Sequence, residues 1–160
     1  MTKRTKRRKN VSPEVNVSIQ RASKYEELPS RSVMLRWIRR ACETEGSVTV
    51  RFVDEEEGRM LNAQYRKRDY ATNVLTFDYS HDPVEADIVI CVPVIHREAA
   101  EQNKTFRAHL AHLLVHGVLH AQGWDHLTDE EAEEMEAEER RILASLGFDD
   151  PYSTPAVAHD

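Results

Sequence analysis

His116, His120 and His126, with Gly123 between the last two, are the residues whose types and spacing could do chemistry. Positions i and i+4 of a helix share a face, their Cβ atoms about 5–6 Å apart. Two imidazoles set that way can converge on one ion at about 2.0–2.1 Å each, the usual zinc–nitrogen distance. His126 cannot join them if the helix continues, because its side chain would climb past the ion. Gly123 supplies the exit. Glycine just past a helix end takes the left-handed conformation without a Cβ penalty and reverses the chain. His126 then folds back as a third ligand. Three neutral imidazoles with no fourth protein ligand are the coordination of a single catalytic Zn2+ with a position left for water. An H-x-x-x-H pair by itself is more often two packed or surface histidines. The glycine and the third histidine at turn distance favour metal.

The spacing resembles a metzincin site, but the general base of the zinc peptidase pattern H-E-x-x-H is missing. That glutamate directly follows the first histidine, and here its place holds Gly117. The full run His116-Gly117-Val118-Leu119-His120-Ala121-Gln122-Gly123-Trp124-Asp125-His126 resembles the signature of the YbeY family of zinc-dependent endoribonucleases. Further blocks match in order: Leu61-Asn62-x-x-Tyr65-Arg66, Thr72 to Phe77, Asp87 to Ile90, Met135-Glu136-x-x-Glu139 and Asp150-Pro151-Tyr152. The likeness runs from about Val15 to Tyr152. It departs from the family pattern at Ala86, Ala121-Gln122 and Trp124, which bears on fine substrate preference.

The neighbours of the three histidines have open roles. His109, His112, His116 and His120 lie near one helical face. His112 matches a family histidine and is a substrate-contacting or supporting group, or a plain half-buried histidine. His109 and His96 are expected at the surface. Asp125 either orients a ligand imidazole or bonds its own turn. Arg66 alone reads as a helix-terminal surface arginine. The resemblance places it in the active-site cleft, where its planar fork matches phosphate oxygens. Glu139 falls in the apolar stripe of the last helix, which is costly unless it is paired. Snorkelling to solvent is the ordinary outcome there, and support of the histidines or an arginine is the other. Gly117, costing about 1 kcal/mol in a helix, implies close approach of substrate or of another element, or ordinary tight packing.

The elements that must position these groups follow from periodicity. Alternation gives strands over 15–19, 48–53 and 73–79, and an apolar run after Asp87 gives a strand buried on both faces, 87–92. Helices are expected over 32–43, 55–67, 93–103, 105–122 and 129–146. Asp54 and Glu57 suggest a capping-box start. His81-Asp82-Pro83 reads as a turn. Trp37 is expected in the core. The helix carrying the histidines is apolar on most of its circumference and should be buried. Four strands and five or six helices in this order imply an α+β fold. The resemblance adds a small four-stranded mixed sheet packed around a buried central metal-binding helix.

A chain of 160 residues, 40% hydrophobic and 31% charged, suits one globular domain. The expected division is a disordered basic tail over 1–12, the catalytic domain over 13–152 and a flexible tail over 153–160. No apolar run approaches a membrane span, no secretory signal is visible, and two cysteines make no disulfide framework. A cytoplasmic protein without a membrane partner is expected. Residues 1–9 hold six Lys/Arg, leaving 16 basic against 28 acidic residues, a net −12 for the rest. Such a body cannot bind RNA by overall charge, so local basic groups and the metal must serve. The resemblance implies hydrolysis of single-stranded RNA in ribosomal RNA 3′-end maturation and quality control. Its partners would be ribosomal RNA and the small ribosomal subunit, with no DNA expected. Asp125, His112 and the bound water itself are all open as base. The rivals are a ribosome-assembly factor with a structural zinc and a zinc metallopeptidase.

Overall fold

A computed structural model describes residues 13–25 and 27–153. The expected basic segment 1–12, and all of the C-terminal tail except Ser153, lie outside them. The order is β1 (Val15–Arg21), α1 (Arg31–Ala41), β2 (Gly46–Val53), α2 (Glu55–Arg66), β3 (Val74–His81), β4 (Val84–Cys91), α3 (Val92–Glu101), α4 (Phe106–Ala121) and α5 (Asp129–Ser145). The described residues thus form one α+β unit with a four-stranded mixed sheet and five helices.

The sheet order is β1-β2-β4-β3. β1, β2 and β4 run parallel, while β3 pairs antiparallel with β4 across the short turn at Asp82-Pro83. β4 therefore lies inside the sheet, as its apolar run implies. It begins at Val84, three residues earlier than expected, because pairing with β3 carries the ladder down to the turn.

Strand alternation divides the core in two. Val48, Val50 and Phe52 of β2 join Ala86, Ile88 and Ile90 of β4 in the large core, with Trp37 and Ile38 of α1. Val53, Leu75, Val89, Cys91 and Val94 form a smaller cluster with Leu61 of α2 packed against it.

α4 packs against α1, α3, α5 and strands β3 and β4. Eleven of its sixteen residues are buried, so its apolar side chains are absorbed on nearly every side. Gly117 faces the sheet. A Cβ built there would lie 3.2 Å from Ile88 Cγ2 and 3.5 Å from Val74 Cγ2. Tight packing against strands, rather than approach of substrate, accounts for that glycine.

Helix starts differ in their chemistry. α2 begins where expected, but Asp54 makes no capping bond. Its carboxylate instead accepts from the Ser23 hydroxyl and the Lys24 N–H, and Glu57 is held by Arg51 at 2.6 and 3.0 Å. The reciprocal capping box belongs to α5, where Thr128 and Glu131 satisfy each other's backbone N–H. Thr128→Ala should cost about 1 kcal/mol and lower the melting temperature by roughly 2–4 °C, read by thermal denaturation.

Candidate metal centre

α4 is capped at its start by Thr105, whose hydroxyl accepts from Ala108 N–H at 3.0 Å. At its end Gly123 N–H bonds His120 O and Trp124 N–H bonds Leu119 O, at 3.0 and 3.1 Å. That pairing is the Schellman motif, and Gly123 sits at φ +98° to make it. The chain reverses there and brings His126 back. Its ring centroid lies 5.6 Å from that of His116 and 6.2 Å from that of His120. One ligand atom each from His120, Asp125 and His126 lies within 4.8 Å of the others. Among the described residues His116 is not in that tightest set, but its ring borders it through His126.

The four histidines of α4 are tethered in two opposite ways. His120 Nδ1 lies 3.0 Å from Trp124 O. A carbonyl only accepts, so the proton is on Nδ1 and the Nε2 lone pair is left to bind. His116 Nδ1 lies 2.7 Å from Glu139 Oε2, again leaving Nε2. His112 and His109 are reversed, their Nε2 atoms 2.9 Å from Glu139 Oε1 and Glu98 Oε1 respectively. An imidazole held through Nε2 has no Nε2 to offer a metal. The geometry therefore separates two candidate ligands from two supporting groups on one helical face. The donor set suits a borderline cation such as Zn2+, with tethers of the kind that commonly orient ligand histidines.

Glu139 is wholly buried, one turn beyond Met135 in the stripe that α5 presents to α4. It does not snorkel. Burial raises its carboxyl, but hydrogen bonds from His112, His116 and the Tyr152 hydroxyl outweigh that and hold it at about 2. It is an ionised, acceptor-only group under two imidazoles. The Tyr152 hydroxyl is pushed up, first by burial and then by Glu139, so it stays protonated and donates to that carboxylate. Arg140 stacks on the Tyr152 ring at 5.2 Å and pairs with Asp150. Sequence reasoning gave Tyr152 no role. The signal was the glutamate in an apolar stripe, which required donors from somewhere.

His109 is buried rather than superficial, because Glu98 on α3 receives it and is itself bonded by the Asn73 amide. Burial, more than this carboxylate, sets its pKa, which is lowered. His96 is half-buried, stacked on Phe106 at 4.0 Å and paired with Glu27. Asp125 makes the bond within its own turn, one of its two expected roles. Oδ1 accepts from His126 N–H at 2.8 Å, and the carboxylate lies within ligand range of two histidines.

Arg66, exposed at the end of α2, donates to Thr76 O on β3 at 3.1 Å and lies 5.8 Å above the Phe77 ring. Asp78, two residues along β3, lies within electrostatic reach of His120. Burial raises its carboxyl, but His81, its own backbone and His120 together bring it below the usual range.

The model of a family described as Endoribonuclease YbeY matches residues 5–147. The chain belongs to the YbeY endoribonuclease family. It is 62% identical over 126 residues to an Endoribonuclease YbeY of Delftia acidovorans, covering 78% of this chain and 83% of the relative. A YbeY of Cupriavidus pinatubonensis is 59% identical over 138 residues, 82% of this chain and 68% of that one. A solution structure of a Thermotoga maritima protein shares the fold at TM-score 0.54 and 23% identity, over 87% of this chain and 99% of that one. Two of the YbeY blocks quoted from the sequence reach the partners of the α4 histidines, and the 61–66 block lies on α2. Arg66 ends α2, Asn62 one turn earlier donates to Tyr70 O, Asn73 ties the start of β3 to Glu98, and Tyr152 reaches Glu139.

Proposed function

We propose that this chain is a metal-dependent endoribonuclease acting on single-stranded regions of ribosomal RNA, with His116, His120 and His126 holding one Zn2+. Family membership supports the reaction class. The opposed tethering of the α4 histidines carries the site assignment, since it leaves Nε2 available on two of the four, beside His126. When bound, the ion supplies a Lewis acid that makes water a competent nucleophile near neutral pH and polarises a phosphoryl oxygen.

The chain's own residues do the rest. Glu139 and Trp124 O fix the tautomers of His116 and His120. His112 spends its Nε2 on Glu139 and acts as a positioning residue. Asp125, whose carboxylate lies beside His120 and His126, would take a proton from the attacking water. Arg66 keeps guanidinium N–H groups beyond its Thr76 bond, and these can meet charge accumulating on the phosphate. A peptidase role lacks its base at Gly117.

In this reading the catalytic unit is residues 13–152, and the basic residues of 1–12 add sequence-independent phosphate contacts. The partner is the small ribosomal subunit and the compartment the cytoplasm, where thiols stay reduced. No described helix is long and apolar enough to cross a membrane.

The test is metal analysis with cleavage of a ribosomal RNA fragment. Arg66→Ala should keep one equivalent of zinc while cleavage falls about a hundredfold, the scale of one lost transition-state donor. Undiminished cleavage would remove Arg66 from the mechanism, and no chelator-sensitive cleavage by wild type would overturn the reading itself.

A further inference from the structure

The sheet has a second face, away from α4, which the metal chemistry leaves unused. There α2 covers only part of the strands, and a groove of about 310 Å³ opens between its C-terminal half and β2, β4 and β3. That volume is at the lower end of ligand clefts, about 300–1,000 Å³. Its aromatic wall is Tyr65, Phe77 and Tyr79. Tyr65 of α2 is 56% exposed and Tyr79 of β3 70%. Tyr65 stands edge-on to Phe77, centroids 5.2 Å apart at 74°.

The groove's lining carries one cation and two carboxylates, all of them engaged. Arg51 is paired with Glu57, and Asp87 accepts from the Tyr79 hydroxyl at 2.9 Å. A floor of rings whose lining is net negative has nothing to attract a phosphate backbone, but every nucleobase has a face that stacks on such rings. The free positive charge stands at the lip, where Arg66 lies over Phe77 and bonds Thr76 O of edge strand β3. Successive β3 residues point to opposite faces. Thr76 is buried on the side where α4 packs, while Phe77 belongs to the α2 side. A chain rounding this edge passes from the histidines to the rings, with Arg66 at the crossing.

We propose that this groove is a stacking site for unpaired RNA bases next to the scissile phosphate. Phe77, Tyr65 and Tyr79 take the base faces, and Arg66 at the edge takes the scissile phosphate from which they lead. This rests on the RNA-cleaving function proposed above and adds the reason for single-strand selectivity. Bases locked in a duplex cannot reach the rings, whereas splayed bases stack on aromatic and arginine planes.

The experiment is binding of a fluorescein-labelled single-stranded RNA 12-mer, followed by anisotropy, to zinc-loaded full-length protein. A blunt duplex of the same sequence is the comparison. Tyr65→Ala and Tyr79→Ala should each weaken single-strand binding about tenfold, and the salt dependence should not change, since no ionic contact is lost. KM for cleavage should rise with kcat retained, duplex affinity should stay the same, and Tyr65→Phe should restore binding. Single-strand affinity unchanged in the Tyr65→Ala/Tyr79→Ala double variant would overturn the proposal and leave the rings as a face for a protein. So would an equal loss on duplex. A wild type that binds through these tyrosines without cutting would overturn the nuclease reading while keeping the stacking site.

Discussion

Glu139→Ala should lower zinc affinity about 10–100-fold and cost about 3–5 kcal/mol of stability, although the residue touches no ligand atom of the proposed metal. Its carboxylate accepts from three donors at once: His112 Nε2, His116 Nδ1 and the Tyr152 hydroxyl. Truncation removes that shared acceptor at a wholly buried position. His112 Nε2 keeps the Tyr152 hydroxyl at 3.1 Å. His116 Nδ1 loses its partner, and the penalty for an unpaired polar group exceeds the worth of the bond itself. A loss of that size in a chain of 160 residues lowers the melting temperature by roughly 6–20 °C. The metal effect has a separate cause. Without an acceptor at Nδ1, the His116 proton is free to move to Nε2, the atom needed for coordination.

Glu139→Gln separates the two effects. The amide oxygen can still accept from one imidazole, but its NH2 must donate to the other, which is driven to the opposite tautomer. Stability should recover most of the way. Zinc affinity should stay depressed if the oxygen goes to His112, and recover if it goes to His116. Chelator competition reads the affinity and scanning fluorimetry the stability. Zinc binding by Glu139→Ala as tight as that of wild type would remove the positioning role.

What could be read from the sequence was local. The spacing of His116, His120 and Gly123 dictates a helix and its exit through backbone geometry alone, and the Schellman bonds at 3.0 and 3.1 Å express that rule. Strand alternation and apolar runs likewise located every element to within about three residues. The polar interior was not legible. Whether a histidine faces solvent or core depends on a carboxylate elsewhere in the chain. His109 was expected outside and lies inside because Glu98 on α3 receives it. Glu139 was expected to snorkel because its donors, His112 and His116, come from a helix more than twenty residues away. Asp54 had the residue type and position of a cap, but Ser23 claimed its carboxylate. Gly117 sits in the histidine motif yet answers to Ile88 across the sheet interface. The direction in which each α4 imidazole is tied follows from the same distant partners, so no spacing rule could separate His112 from His116.

His120→Ala should abolish stoichiometric zinc binding and reduce RNA cleavage to less than about a hundredth, while the variant folds as apo wild type does. The rival in which zinc is structural demands the reverse. Structural zinc supplies about 10–16 kcal/mol in small finger peptides that have almost no core of their own. Here α4 is held by Leu110, Leu114, Val118 and Leu119, all fully buried against α1 and the sheet. The candidate ligands lie at its partly exposed end, with His126 at the surface. The helix therefore needs no ion to stay in place. The correct reference is chelator-stripped wild type, because a ligand that binds only the native state raises its stability by about 4 kcal/mol at a thousand times its dissociation constant. His120→Ala and the stripped protein should melt together, both below the loaded wild type, with unchanged circular dichroism. Loss of folded circular dichroism in the stripped wild type and in His120→Ala alike would make the metal structural and sink the catalytic assignment. His116→Ala and Asp125→Asn then decide the third protein ligand. If three imidazoles hold the ion, the first loses zinc and the second keeps it. If the tight cluster of His120, Asp125 and His126 holds it instead, the order reverses, and His116 becomes a group that Glu139 merely buries.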